Sequence, residues 1–293
     1  MRSEILRQIK DMEYRDKKRT DRRPERNGAS RDRMPHGGRG RGREREAELP
    51  EGVIVGRNAV LELLKSGRSI DKLLVKEGEL EGSAKLIVAE AAARGIPVVH
   101  TERAGLDRIC GGLNHQGVIA YAAAKEYVSI DDILATAAER GEPPFVLVLD
   151  GIEDPYNLGA IIRTAECAGV HGVIIPKRRS ATLSAAVEKT SAGALEHMAI
   201  ARVPNLTTAV EDLKEKGLWV YAAEAGGQPL HSTSMTGPVA VVMGSEGTGV
   251  SQLLRSKCDF TVSVPLCGRI NSLNVSAAAA VVLYEVRNQR DDA

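Results

Sequence analysis

The stretch Phe145-Val-Leu-Val-Leu-Asp150 is followed by Gly-Ile-Glu-Asp-Pro-Tyr-Asn157-Leu-Gly-Ala-Ile-Ile-Arg163. Its first five residues form an uninterrupted apolar run, which is typical of a strand that is buried on both faces. Turn-forming residues come next, and the apolar spacing after them predicts a helix over 158–168. A buried strand followed by a helix is the unit from which parallel sheets are built.

The same alternation continues towards the C-terminus. Helix-length segments separate five further predicted strands, at 172–175, 199–203, 219–223, 239–243 and 260–264. The predicted helices are 183–194, 207–216, 251–257 and 273–287. Strands that alternate with helices in this way predict an α/β domain with a parallel sheet over residues 145–293.

A smaller α/β unit precedes this domain. Strands are predicted at 53–55, 73–75, 96–100 and 118–123, and helices at 58–65 and 83–94, with Ser83 as the N-cap of the second helix. A charged segment with a short helix at 130–140 leads to Pro143-Pro144, a pair that marks a boundary. We therefore predict a small domain at 51–125, a linker at 126–144 and the larger domain at 145–293.

The N-terminal segment differs from both units in composition. Residues 1–50 contain 16 Lys and Arg against 10 Asp and Glu, and 15–48 hold almost no large apolar side chain. Such a segment cannot bury enough surface to offset its ordering entropy, so we predict a disordered basic arm. Its Gly37-Gly-Arg-Gly-Arg-Gly-Arg43 stretch suits contact with RNA phosphates, and a solubilising extension is the alternative.

Composition also excludes several classes of protein. No window of about 18 uncharged apolar residues exists, which excludes a membrane-spanning helix. Charges begin at residue 2, so a secretory signal is not expected. The four cysteines lie far apart without a C-x-x-C pair, which argues against a zinc ribbon or a disulfide framework and suits the reducing cytoplasm. The histidines have no ligand-like spacing, so no metal is predicted.

Ligands of open parallel sheets bind at the carboxyl ends of the strands, and three loops there are unusual. The first loop leads into the helix that carries Asn157 and Arg163. We expect Asn157 at the helix start, with its side chain turned inward. Arg163 falls among Ile161, Ile162 and Ala165, so it either pairs with a buried carboxylate or meets a ligand phosphate or ribose.

The second and third loops combine glycines with small polar residues. Gly244-Ser-Glu246-Gly-Thr-Gly249 allows the backbone to approach a ligand closely beside one carboxylate, and it is not a phosphate-binding P-loop. Pro265-Leu-Cys-Gly-Arg-Ile-Asn-Ser272-Leu-Asn274-Val-Ser276 precedes the most apolar helix. Its three small polar residues form either a capping cluster or the floor of a site. Lys177-Arg-Arg179, after the strand at 172–175, is a candidate for contact with an RNA backbone, and a solvated loop is the alternative.

The three motifs N-L-G-x-x-x-R, G-x-E-G-x-G and P-L-x-G-x-x-x-S-L-N-V-S-x-A occur in this order. Together they resemble the SpoU (TrmH-like) branch of the SPOUT RNA methyltransferases, over residues 53–290. The segments 55–64 and 114–118 look like that family's small substrate-binding domain, which is similar to ribosomal protein L30e. Within the branch, the combination is most similar to the enzymes that 2′-O-methylate a guanosine of large-subunit (23S-type) ribosomal RNA.

The resemblance implies a SPOUT α/β-knot domain with a deep trefoil knot, S-adenosylmethionine as cofactor, a homodimer and large-subunit ribosomal RNA as partner. The catalytic residues that it implies are Asn157, Arg163, Glu246, Ser272 and Asn274. The residues that it implies for cofactor binding are Gly244, Val264, Leu266 and Leu273.

The implied reaction joins a methyl group to a ribose 2′-hydroxyl, and it requires alignment and help with proton loss. Because arginine stays protonated in proteins, our hypothesis is that Arg163 orients the ribose and its phosphate and stabilises developing negative charge. The family's other proposal makes this arginine the proton acceptor. A tRNA ribose methyltransferase and a non-catalytic RNA-binding protein on the same scaffold are the alternative functions.

Overall fold

Two sheets organise the chain, a mixed four-stranded sheet followed by a parallel six-stranded sheet. The structure, a computed structural model, describes Leu49 and residues 52–292. Apart from Leu49, the predicted basic arm at 1–50 lies outside the described residues.

The first sheet has the strand order β1-β4-β2-β3, in which β4 runs antiparallel to both neighbours and β3 runs parallel to β2. Its strands are β1 (Val53–Val55), β2 (Ile70–Lys76), β3 (Val98–Thr101) and β4 (Val118–Ala122). Its helices are α1 (Arg57–Ser66), α2 (Ser83–Ala93) and α3 (Arg103–Ile109). The predicted N-cap was wrong: Gly82 holds that position and Ser83 is already helical. Helix α3 was not predicted.

The second sheet is parallel throughout, with the order β10-β8-β9-β5-β6-β7. Its strands are β5 (Phe145–Asp150), β6 (Gly172–Pro176), β7 (Ala199–Val203), β8 (Trp219–Pro229), β9 (Val239–Gly244) and β10 (Phe260–Ser263). The helices are α4 (Ile130–Arg140), α5 (Pro155–Cys167), α6 (Ala185–Thr190), α7 (Ala194–His197), α8 (Leu206–Glu215), α9 (Gln252–Arg255) and α10 (Val275–Asp291). No helix in the described part of the chain is both long and apolar enough to cross a lipid bilayer.

Strand β5 lies inside this sheet and is buried on both faces. Phe145, Leu147 and Leu149 belong to the core that includes buried residues of α5 and α10. Val146 and Val148 belong to the core on the opposite face, with residues of α4 and α8. Helices on both faces explain why the strand reads as a continuous apolar run.

The register of the central strands places the loops of the site side by side. Leu149 of β5 and Ala223 of β8 both pair with Met243 of β9. Since all three strands are parallel, the segments that follow Asp150, Ala223 and Gly244 meet at one edge of the sheet.

The predicted helix at 183–194 is two short helices instead, α6 and α7. Ala192 (φ 53°) and Gly193 (φ 99°) between them adopt left-handed backbone, which ends a right-handed helix. A Cβ on Gly193 would fall 2.6 Å from Cβ of Glu62 in α1. The break therefore lets the first domain approach the second closely. The last helix begins at Val275, later than predicted, so Leu273 remains in the loop.

A buried charge cluster joins the two domains. Nη1 of Arg68, after α1, lies 3.1 Å from Oε1 of Glu188 and 2.7 Å from Oε1 of Glu196. Nζ of Lys125 donates to the carbonyl of Glu196 at 3.1 Å, and Oγ of Ser66 donates to the other oxygen of that carboxylate at 3.0 Å. Removal of the single arginine would leave two buried carboxylates without their strongest partner.

Burial controls the ionisation of this cluster. Desolvation raises the pKa of Glu188 from 4.5 to about 7, despite the opposing effect of the Arg68 charge. The neighbouring Glu196 carboxylate raises it further, and Lys125 lowers it. The folded protein therefore retains a proton on Glu188 at pH values at which the unfolded chain has already released it.

We expect Glu188→Gln to remove a pH-dependent part of the stability. The raised pKa makes the wild-type protein lose stability as the pH rises from about 4.5 to 7, because ionisation then favours the unfolded chain. The neutral glutamine does not titrate. In urea unfolding experiments, the free energy of unfolding of the wild type should fall by about 2–3 kcal/mol more than that of the variant when the pH is raised from 5 to 8. An equal change in both proteins would contradict this assignment.

Candidate active site

A cavity of about 540 Å³ opens beside the middle of β8 and the carboxyl ends of β9 and β10. We call it the first cavity. All four residues predicted to bind the cofactor line it, namely Gly244, Val264, Leu266 and Leu273. Two of the predicted catalytic residues, Glu246 and Ser272, line it as well. The structure thus brings together segments that are separated by about 20 residues in the sequence.

Asn157, Glu246 and Asn274 form one hydrogen-bonded group at the edge of this cavity. Nδ2 of Asn274 donates to Oδ1 of Asn157 at 3.0 Å and also to Oε1 of Glu246. The backbone N–H of Val275 donates to the same Oε1 at 3.1 Å. These contacts leave Oε2 of Glu246 and Nδ2 of Asn157 for other partners.

Asn274 holds its position because it also caps α10. Its Oδ1 accepts from the N–H groups of Ser276 at 3.0 Å and Ala277 at 3.4 Å. Oγ of Ser276 donates to the same oxygen. The cap turns the amide so that its Nδ2 faces Glu246 and Asn157. Of the two predicted interpretations, capping accounts for Asn274 and Ser276, whereas Ser272 lies on the cavity wall.

Arg163 does not join this group. It is exposed and lines a separate groove with Asn58 and Glu62 of α1. The prediction that it lies within the apolar face of its helix was wrong. Ile161, Ile162 and Ala165 define the buried face, and position 163 projects roughly 150° away from the centre of that face at 100° per residue. Arg163 makes no ion pair with any described residue.

Two further observations concern polar side chains outside the first cavity. His115 is buried, with Nε2 3.0 Å from Oδ1 of Asp107 and Nδ1 accepting from the N–H of Gly117 at 2.9 Å. It therefore stabilises its own turn. Among the described residues, no three His, Cys, Asp or Glu side chains are grouped so that they could hold a metal ion.

The sequence reasoning missed Glu224. This residue directly follows the last residue of β8 that pairs with β9, and it lines the first cavity. Oε1 lies 3.2 Å from Nη1 of Arg255, while the buried Oε2 has no hydrogen-bond partner among the residues that the structure describes. The available signal was a polar residue directly after the predicted strand at 219–223.

Comparison with known families agrees with this geometry. Residues 144–284 match the model of the SpoU rRNA Methylase family. Residues 53–128 match the model described as RNA 2′-O ribose methyltransferase substrate binding. A Bacillus subtilis (strain 168) protein, YacO, is 43% identical over 239 residues, which are 81% of this chain and 96% of that protein.

The chain belongs to the SpoU rRNA methylase family.

YacO itself is named as a candidate TrmH family tRNA/rRNA methyltransferase. Among solved structures, the AdoMet-bound rRNA methyltransferase from Sinorhizobium meliloti superposes with a TM-score of 0.67 at 25% identity and covers 80% of this chain and 86% of that one. The SpoU methyltransferase AviRb from Streptomyces viridochromogenes, also with AdoMet, gives a TM-score of 0.69 at 24% identity and covers 82% and 91%. The predicted fold class is confirmed: a SPOUT domain with a parallel sheet after a small α/β substrate-binding domain.

The first cavity of this SpoU-family enzyme fits S-adenosylmethionine, the predicted cofactor. Its volume lies within the range of about 300–1,000 Å³ usual for small-molecule sites. Met243, Val264 and Leu266 supply apolar surface for an adenine ring. The unpartnered Oε2 of Glu224 supplies an acceptor for hydroxyl or amino donors.

We expect Asn274→Ser to separate the two roles of this residue. Serine retains an N-cap acceptor for α10 but lacks the amide that contacts Glu246 and Asn157. The free energy of unfolding, measured by thermal denaturation, should change by no more than about 1 kcal/mol. The rate of methyl transfer from labelled S-adenosylmethionine to RNA should fall about tenfold or more. Asn274→Ala, which loses both roles, is the matched control and should show the same loss of transfer with lower stability. Full activity of the serine variant would contradict the proposed contact.

Proposed function

We propose that the protein transfers the methyl group of S-adenosylmethionine to the ribose 2′-hydroxyl of a guanosine in large-subunit ribosomal RNA, in the cytoplasm. The observation that carries the proposal is the meeting of Asn157, Glu246 and Asn274 beside the first cavity. The match to an RNA substrate-binding model over residues 53–128 supports an RNA larger than a bare nucleotide. A tRNA substrate remains the alternative, since the name of YacO includes both RNA classes.

The chain's own residues supply positioning and electrostatics. Bound S-adenosylmethionine supplies an electrophilic methyl group on a sulfonium centre. Nδ2 of Asn157 is directed to donate to a ribose oxygen, because its Oδ1 already accepts from Asn274. Oε2 of Glu246 is free to accept a hydrogen bond from the 2′-hydroxyl group, because Oε1 already accepts from Asn274 and Val275. Such preorganised partners lower the barrier without reorganisation during the reaction.

In a homodimer, an arginine of the partner subunit would add the positive charge that this site lacks. Arg163 lies away from the first cavity of its own subunit, although it is the expected partner of the ribose and phosphate. The packed helices α5 and α10 carry large, partly exposed side chains: Tyr156, Val281 and Tyr284 are each more than 40% exposed. A two-fold contact through this face would bury them and bring Arg163 of the partner subunit towards the first cavity.

The small domain offers a surface for the rest of the RNA. A polar cavity of about 510 Å³ includes Arg57, Lys76 and Arg103 together with the amides of Asn114 and Gln116. Nε of Arg57 donates to the carbonyl of Gln116 at 2.9 Å, which fixes the arginine beside the turn. Guanidinium and amide groups suit phosphate and base edges of RNA.

The substrate class can be read from one labelling experiment. Incubation with methyl-labelled S-adenosylmethionine should place label in a naked large-subunit rRNA transcript, at a ribose 2′-oxygen of a guanosine, and not in bulk tRNA. Nuclease mapping of the resistant dinucleotide locates the site. Label in tRNA alone would overturn the rRNA assignment, and label in neither would favour a non-catalytic RNA-binding role.

Mixing of inactive variants tests the shared site. Arg163→Lys should lower single-turnover methylation about tenfold or more, because lysine lacks the planar fork. If each site combines residues of two subunits, a mixture of Arg163→Ala and Asn274→Ser proteins should regain part of the wild-type activity. One site of each mixed dimer would then carry both intact residues. Absence of any recovery in mixtures shown to exchange subunits would contradict a site shared in this way.

A further inference from the structure

A second cavity of about 500 Å³ lies next to the first. The two cavities share the turn from Ser245 to Gly249 and the side of Val275, so this turn forms a common wall. Asn157 and Glu246 of the hydrogen-bonded group both line the second cavity. A molecule bound there would therefore lie against the same residues that border the first cavity.

Among the described residues that line the second cavity, Arg179 is the one with a basic side chain. Its backbone is left-handed (φ 56°), which is uncommon for a residue with a side chain and marks a locally constrained turn. The turn is fixed on both sides, since the N–H of Lys177 donates to Val203 and the N–H of Ala181 donates to Ile152, each at 2.8 Å. No described residue forms an ion pair or hydrogen bond with the Arg179 side chain.

Besides Glu246, three further carboxylates line the second cavity, and two of these three have backbone partners. Asp150 accepts from the N–H of Ser251 at 2.9 Å, and Asp154 accepts from the N–H of Tyr156 at 3.1 Å. Glu153 is exposed and has no hydrogen bond within the described residues. One free guanidinium and one free carboxylate therefore line the same cavity.

This pair of free groups specifies the chemistry of a ligand. A carboxylate only accepts hydrogen bonds, and a guanidinium only donates them, with a preference for phosphate. Among the RNA bases, guanine presents two adjacent N–H donors on its Watson–Crick edge, which match a carboxylate. A guanosine unit offers both that edge and a phosphate.

We propose that the second cavity holds the nucleotide to be methylated, turned out of the RNA, with its phosphate on Arg179 and its guanine edge on Glu153. The inference rests on the proposed function and identifies the acceptor side of that site. The common wall at 245–249 places the ribose between the two cavities, beside Asn157 and Glu246. Enzymes that act on a base extrude the target nucleotide into a pocket of this kind, and the same extrusion would bring the ribose of this nucleotide to the common wall.

A pair of matched variants tests the phosphate contact. Arg178 and Arg179 are adjacent and both exposed, but only Arg179 lines the cavity. Arg179→Asn, a residue that tolerates left-handed backbone, should raise the KM for the RNA that the wild type labels by about tenfold or more. Arg178→Asn removes the same charge and should raise it no more than about threefold. The affinity for S-adenosylmethionine, measured by calorimetry, should be the same in both variants, and Arg179→Lys should restore part of the affinity for RNA. Equal losses in the two asparagine variants would overturn the proposal.

A binding experiment without catalysis separates this inference from the proposed function. The protein is first saturated with S-adenosylhomocysteine, so that the first cavity is filled, and then titrated with guanosine 5′-monophosphate and, separately, cytidine 5′-monophosphate. The guanine nucleotide should bind the wild type and Arg178→Asn more tightly than the cytosine nucleotide. Glu153→Gln should abolish that preference, and Arg179→Asn should weaken both nucleotides. If no RNA is methylated but these differences persist, the cavity assignment stands without the proposed reaction. Binding of both nucleotides equally to all variants would overturn it.

Discussion

The contact between Glu246 and the start of α10 is the constraint on which the candidate site depends. A single carboxylate oxygen accepts from both the Asn274 amide and the Val275 N–H. Because Asn274 also reaches Asn157, three loops that lie far apart in the sequence meet at one point. The positive end of the 17-residue helix α10 favours a negative group at this position, so the carboxylate is held there by the helix as well as by its bonds.

The parallel sheet makes that meeting possible. Buried strands in a common register end at the same edge, and the loops that follow β5 and β9 emerge as neighbours. Close packing then fixes the helices: a Cβ on Gly159 of α5 would lie 2.9 Å from the carbonyl oxygen of Val187 in α6. Since α6 also carries Glu188, the charge cluster with Arg68 connects the small domain to the helix that packs against α5. The substrate-binding domain and the site are thus parts of one packed structure.

Much of this could be predicted from local patterns. Strand β7 and helix α4 were predicted at the residues where they occur, because apolar runs and helical spacing are local signals. The four residues that the resemblance implies for cofactor binding line one cavity, because they lie at or after the carboxyl ends of β9 and β10, two strands of the parallel sheet. The sequence analysis placed Arg163 on the apolar face of its helix because its neighbours in the sequence are apolar. At 100° per residue, however, position 163 lies on the opposite side of the helix from those residues. The Arg68–Glu188 contact spans 120 positions, and no local pattern signals such a pairing. The catalytic roles assigned to Asn157, Arg163, Glu246, Ser272 and Asn274 remain predictions. So do the cofactor-binding roles assigned to Gly244, Val264, Leu266 and Leu273.

The central claim is that the segments around Gly244, Leu266 and Leu273 together hold the methyl donor. A crystal structure of the protein grown with S-adenosylmethionine tests it most directly. The account predicts electron density for the donor within the first cavity, with its sulfonium methyl group directed towards the wall at Glu246. Density for the donor at any other surface, or a saturated crystal whose first cavity contains only solvent, would contradict it.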